Sequence, residues 1–276
     1  MPIAKERVAE LNELCRVFRV ETLKAIHSIQ SGHPGGSLSV CEILTLLYQE
    51  RMNISAKNPQ DPDRDMLVLC KGHAAPMLYR NLVEKGFLPA ESMGSLRRID
   101  SLLQGHPSNH TPGVEMPSGP LGIGLSAAQG MAIGRKLNNS PSRVYAVLGD
   151  GELNEGCVWE AAMSAPKFEL DNLCVIVDYN KVQLDGTTDQ VMPLGDLSAK
   201  WRAFGWNVIE CDGHSLEALT GALDKAETVK GVPTAIIANT VKGKGVSFME
   251  GQAGWHGKAI PDADLESALA ELGGDK

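Results

Sequence analysis

A chain of 276 residues that is 43% hydrophobic can bury one sizeable core, so one large α/β domain is the expectation. Its net charge of −8, with no long run of Lys or Arg, excludes the electrostatic footprint of a nucleic-acid or anionic-membrane binder. Small molecules and other proteins are the expected partners. Cys15, Cys41, Cys70, Cys157, Cys174 and Cys211 form no C-x-x-C pair, and no window approaches the roughly 18 apolar residues that would span a bilayer. With a mixed-charge N-terminus, MPIAKERVAELNELC, this predicts reduced thiols and a cytoplasmic protein.

Taken in chain order, residues 5 to 30 carry Val8, Leu11, Leu14, Val17, Phe18, Ile26 and Ile29 close to helical spacing. A long opening helix should therefore precede the break at SGHPGG, with a second helix from about Ser39 to Gln49. Apolar runs follow at 66–70, 144–149, 173–179, 206–211 and 234–240, with helical patterns over 158–168 and 215–229. Strands that are almost wholly apolar and alternate with helices predict an α/β fold, a parallel β-sheet with helices on both faces. Residues 101–122 and 241–257 are too rich in Gly, Pro and His, and too long, for plain connections, so they read as functional loops.

The run VYAVLGDG puts Asp150 at the carboxyl end of a buried strand, between glycines that let a ligand approach the backbone. A βαβ crossover through the helix beginning near Cys157 returns Asn180 to the same edge. A carboxylate, an amide oxygen and a backbone carbonyl suit Mg²⁺ or Ca²⁺, and the Gly151 N–H could cradle phosphate beside the ion. For GDG alone a turn, with Asn180 as a strand cap, would suffice. The added N-K-V-x-L-D-G at matching spacing favours the ligand site.

GDG followed about 30 residues later by Asn is similar to the pattern of thiamine diphosphate enzymes, and the chain resembles the N-terminal, diphosphate-binding half of transketolase. The resemblance runs over about residues 8–262 and is carried by SGHPGGSLS, LCKGHAAPMLY, QGHP, SGPLGIGLSAAQGMA, GDGELNEG, DYNKVQLDG and KGKGVSFMEGQAGWHG. It implies thiamine diphosphate and a divalent metal held by Asp150, Asn180 and the Val182 carbonyl. It also implies that His33, His106 and His256 face the sugar and the reacting carbon of the cofactor, while His73, His256 and Lys242 touch the diphosphate. Gly119 and Leu121 would support the aminopyrimidine and the bent cofactor. Glu155 would correspond to a family glutamate that contacts the catalytic glutamate across the subunit interface, and a helix-start carboxylate favoured by the dipole is compatible with that role. His27, His110 and His214 read as solvated, and some family members carry a hydroxyl residue where this chain has Gly36.

GIGLSA at 122–127 matches a dinucleotide fingerprint, but EMPSGPL ahead of it cannot be the required apolar strand, so a dinucleotide site is rejected. The resemblance places the catalytic glutamate and the phosphate-binding arginines in a pyrimidine-binding domain, and the sequence reaches ALAELGGDK before any such domain. The expectation is one diphosphate-binding domain over 1–276 and a second subunit carrying the pyrimidine-binding and C-terminal domains, in an α2β2 assembly that moves a two-carbon ketol unit from a phosphorylated or sulfonated ketose to an aldose. The alternatives are the α subunit of a 2-oxoacid dehydrogenase, whose substrates do not call for the loop histidines, and a non-catalytic binder of thiamine diphosphate.

Overall fold

A computed structural model describes residues 3–273. Helix α1, Lys5–Ser28, buries Val8, Leu11, Cys15, Phe18, Leu23 and Ile26 along one stripe, as the spacing predicts. The second predicted helix, from about Ser39 to Gln49, is present over Cys41–Arg51, and a further short helix precedes it. That short helix, α2, spans Pro34–Ser39, Val40 separates it from α3 over Cys41–Leu46, and a π-helical turn closes α3 at Leu47–Arg51. Proline is well placed at a first turn because its missing N–H would be unpaired there anyway, and full burial outweighs the poor helix propensity of Gly35 and Gly36.

Strand β1 (Met66–Leu69) leads to α4 (Ala75–Glu84), and α5 (Ile123–Leu137) precedes β2 (Val144–Gly149). Then come α6 (Gly156–Lys167), β3 (Leu173–Tyr179), the single turn α7 (Thr188–Val191), α8 (Leu197–Ala203), β4 (Asn207–Asp212), α9 (Leu216–Thr228), β5 (Thr234–Asn239) and α10 (Asp262–Glu271). All five strands are parallel, in the order β1-β2-β3-β5-β4. Residues 101–122 hold neither helix nor strand, and 241–257 hold one turn, Ala253–Trp255.

Side chains alternate across the sheet between two cores. Leu67, Leu69, Tyr145, Val147, Cys174 and Ile176 pack with α1, α3, α4 and α9. Val68, Cys70, Ala146, Leu148, Val175 and Val177 pack with α5, α6 and α8. A sheet covered on both faces needs strands apolar at every position, which is why β1, β2, β3 and β5 read as continuous apolar runs. No helix among the described residues is long and apolar enough to cross a membrane. Because the strands are parallel, the residues just after β1, β2, β3 and β5 emerge together at one edge of the sheet, where ligands bind in open α/β sheets.

Candidate functional site

Gly149 of β2 pairs with Asp178 of β3, so Asp150 and Asn180 leave neighbouring strand ends. Asp150 is 2% exposed, and its carboxylate accepts the N–H groups of Gly151 (2.7 Å) and Lys181. Among the described residues no Lys or Arg pairs with it. Burial, with the Asp178 charge adding, therefore pushes its pKa up to about 6 against the pull of the two N–H bonds. The Asn180 amide oxygen accepts the Val182 N–H at 3.1 Å. Asp150, Asn180 and Val182 line one cavity of about 280 Å³ with Gly151, Leu121 and Glu155. No group of three or more His, Cys, Asp or Glu that could hold a metal is present among the described residues, so a metal here would rest on a carboxylate, an amide oxygen and a carbonyl. A buried carboxylate lacking a cationic partner and two neutral oxygens are a fitting donor set for Mg²⁺ or Ca²⁺, with phosphate oxygens and water completing the shell.

Lys242 is no exposed loop lysine. It is 2% exposed and its ammonium donates to the carbonyl oxygen of Val182 (3.0 Å) and to Nδ1 of His256 (2.7 Å). An ammonium has no lone pair, so His256 accepts at Nδ1, its proton sits on Nε2, and Nε2–H is left to face a ligand. Burial and the Lys71 charge lower Lys242 to about 8, still cationic at neutral pH. Gly243, next in sequence, has φ +78°, and a Cβ there would lie 2.4 Å from the Met249 carbonyl oxygen, so this turn requires glycine.

The structure gathers the four loop histidines. Ring centroids lie 5.4 Å apart for His33 and His73, 5.1 Å for His73 and His256, 5.6 Å for His33 and His256, and 6.0 Å for His33 and His106. Burial comes first in depressing each of them, followed by neighbouring cations or histidines, and it takes His33 to about 4 and His256 to about 3. They stand as neutral imidazoles at pH 7, able to donate and accept protons. His33 Nδ1 is buried without a hydrogen-bond partner, as expected of an atom built to meet a ligand. A side chain at Gly36 would meet His73 Nε2 at 3.0 Å, so glycine there leaves the ring free.

Gly119 lies beside His106, a Cβ on it falling 3.4 Å from that ring, and Leu121 reaches the cavity. Gly122, at φ +88°, caps α5, and a Cβ on it would collide with Cys157 and Glu155. The decoy is thus a tight loop-to-helix turn with no strand before it, and Gly124 packs α5 against Cys70. Glu155 caps α6 with its backbone, makes no side-chain capping bond, and lines the cavity.

Three groups escaped the sequence reading. Lys71 pairs with Asp178, both fully buried, and Asp178 also accepts the hydroxyls of Ser39 (2.6 Å) and Thr240, while Lys71 donates to the Gly36 carbonyl oxygen (3.1 Å). Burial would raise Asp178, but Lys71 and these bonds hold it below the usual range. Glu152, 2% exposed, accepts N–H groups from Gly122 (2.8 Å) and Gly149 (3.2 Å), tying the 118–122 loop to the end of β2. A charged residue placed directly at a strand end, as in LCKGH or VLGDGE, was the available signal.

The third is His214, and the solvated reading of it is corrected. Its Nε2 accepts the Val241 N–H at 2.8 Å, so Nδ1 carries the proton and donates to Glu42 at 2.9 Å, and Glu42 in turn accepts from buried Arg19. The chain just ahead of Lys242 is thereby tied to α1 and α3. His214→Ala is expected to lower the unfolding free energy by about 1–3 kcal/mol, the cost of an unpaired Val241 N–H, and a urea titration within 0.5 kcal/mol of wild type (roughly experimental error) would refute this. His27 also has a partner, Asp262 at 2.7 Å, whereas His110 is exposed as expected.

Residues 11–276 match the family model described as transketolase, thiamine diphosphate binding domain. The chain is 43% identical over 268 residues to a 6-deoxy-6-sulfo-D-fructose transketolase subunit of Clostridium sp. (strain MSTE9), covering 97% of this chain and 98% of that one. It is 39% identical over 255 residues to an apulose-4-phosphate transketolase subunit of Phocaeicola vulgatus, covering 92% and 90%. Among solved structures, transketolase from Campylobacter jejuni superposes with a TM-score of 0.91 at 31% identity, over 100% of this chain and 44% of that chain.

Proposed function

Since the chain belongs to the transketolase family, in its thiamine diphosphate-binding domain, we propose that it is the N-terminal subunit of a two-chain transketolase. Two relatives matched over nearly their whole length are named as transketolase subunits, and this favours ketol transfer over 2-oxoacid oxidation. The observation that carries the reading is the meeting of Asp150, Asn180, the Val182 carbonyl and Lys242 in one cavity beside four neutral histidines.

In this reading residues 1–276 form the diphosphate-binding domain, and a second polypeptide brings the pyrimidine-binding and C-terminal domains in an α2β2 assembly of the cytoplasm. Asp150, Asn180 and Val182 would hold Mg²⁺ or Ca²⁺. Lys242, His73 and the Gly151 N–H would hold the diphosphate, and Gly119 and Leu121 the aminopyrimidine end. Bound thiamine diphosphate supplies the nucleophile and the electron sink for cleaving a ketose and handing its two-carbon unit to an aldose. The chain's own part is to orient and to move protons. His256, held by Lys242, presents Nε2–H, while His33 and His106 take and return protons at the sugar hydroxyls. Glu155, at the cavity edge, would meet the incoming pyrimidine-binding domain. The donor is a phosphorylated or sulfonated ketose.

Co-expression with a polypeptide resembling the C-terminal part of transketolase should yield a co-purifying complex with thiamine-dependent ketol transfer. The single chain should be inactive. Full transfer by the single chain, or a pure complex that accepts 2-oxoacids and no ketose, would overturn the reading.

A further inference from the structure

Leu96 and Leu103, both buried, pin the ends of a short loop, and the Arg97 N–H closes it by donating to the Leu103 carbonyl oxygen at 2.6 Å. Arg97 sits at φ +56°, a left-handed conformation that a non-glycine residue keeps only where its surroundings impose it. Its backbone is fixed, yet its side chain is exposed and enters no hydrogen bond or ion pair among the described residues. Arg98 beside it, by contrast, donates to the Gly94 carbonyl oxygen at 3.2 Å. The Arg97 guanidinium lies over Gly105, its central carbon 2.9 Å from where a Cβ would stand. Gly105 directly precedes His106, and the Arg97 charge is felt at both His106 and His33.

A gradient of exposure gives this position a meaning. Lys71 and Lys242 are buried, His73, His256 and His33 are half-buried, and His106 and Arg97 are exposed. A sugar whose reacting carbons reach the inner histidines must leave its other end on the side of His106 and Arg97. A planar guanidinium presents paired donors that match two oxygens of a phosphate or sulfonate, and one with no carboxylate partner needs none removed before it can bind. We propose that Arg97 is a specificity-determining residue that binds the anionic group at the non-reacting end of the sugar, so that this chain shares in reading substrate charge with its partner subunit. This rests on the transketolase reading above and adds a residue of this chain to the arginines expected on the other.

The test uses the reconstituted two-subunit enzyme with D-glyceraldehyde as a neutral acceptor and three donors: D-fructose 6-phosphate, 6-deoxy-6-sulfo-D-fructose and uncharged L-erythrulose. Arg97→Gln should lower the ratio of kcat/KM for the charged donor over L-erythrulose by about 10- to 100-fold, mainly through KM, with Arg97→Lys intermediate. Whichever charged donor shows the loss identifies phosphate or sulfonate as the group bound. Thiamine diphosphate affinity by calorimetry should match wild type, which separates this outcome from a folding defect. Equal losses for charged and neutral donors, or an unchanged ratio, would overturn the inference while leaving the transketolase reading intact. Absence of transfer from all three donors by the wild-type assembly would overturn that reading and this inference together.

Discussion

Replacing Asp150 with asparagine is expected to abolish the cation-dependent uptake of thiamine diphosphate, weakening it by about 100-fold or more, while making the cation-free chain more stable. The two effects have opposite signs for one reason. A buried carboxylate with no positive partner holds an ion well when one arrives and costs stability when none does. Asp150 has its pKa raised from 3.8 to about 6, so the folded chain binds that proton more tightly than the unfolded chain does. Stability contributed by the protonated form is therefore lost as pH rises from about 4 to about 6, and no more is lost above that. Asparagine removes this slope and gains about 1–3 kcal/mol near pH 7 in the absence of cation. Cofactor at about 100 times its dissociation constant should stabilise the cation-loaded wild type by about 2.7 kcal/mol and the variant hardly at all. Thermal unfolding with and without Mg²⁺ and thiamine diphosphate, at pH 5 and pH 8, measures all of this. An undiminished ligand-induced shift in the variant would remove Asp150 from the metal site.

The second large effect concerns folding. Lys71→Met leaves Asp178 fully buried with two hydroxyl donors and no countercharge, and should cost about 3–5 kcal/mol. In Lys71→Met/Asp178→Asn no charge is left to compensate: the amide oxygen can accept one of the two hydroxyls, Ser39 or Thr240, and the amide NH2 can donate to the oxygen of the other. The double variant should recover most of the loss, to within about 1–2 kcal/mol of wild type. Urea denaturation of the three proteins decides it. A single variant costing under about 1 kcal/mol, or a double variant no better than the single, would mean that solvent reaches the pair.

Which parts of this architecture were legible in advance follows from the range of the interactions involved. Strands β1, β2, β3 and β5 were readable because burial on both faces imposes unbroken apolar runs, and β2 and β3 fall where VYAVLG and LCVIVDY stand. Asp150 and Asn180 were readable because register carries one βαβ unit back to the same edge. The Lys71–Asp178 pair spans 107 positions and the His214–Glu42 bond 172, and no local pattern encodes a contact between such distant residues. α2 is not legible in the sequence because a first-turn proline and paired glycines look like a break until burial is known. α4, α8 and α10 are not among the helices that the sequence spacing predicts.

The strand order has a kinetic consequence. β5 is the last strand in sequence yet inserts between β3 and β4, so the sheet cannot close until that segment is synthesised and threaded between two neighbours already present. Lys242 and His256 follow it, while His33 and His73 lie in the first third of the chain. A nascent chain still lacking its final stretch would therefore expose an unfilled slot in the sheet and have no functional pocket. Such late, sequence-distant closure marks a slow folder that depends on protection from aggregation until its last strand is in place.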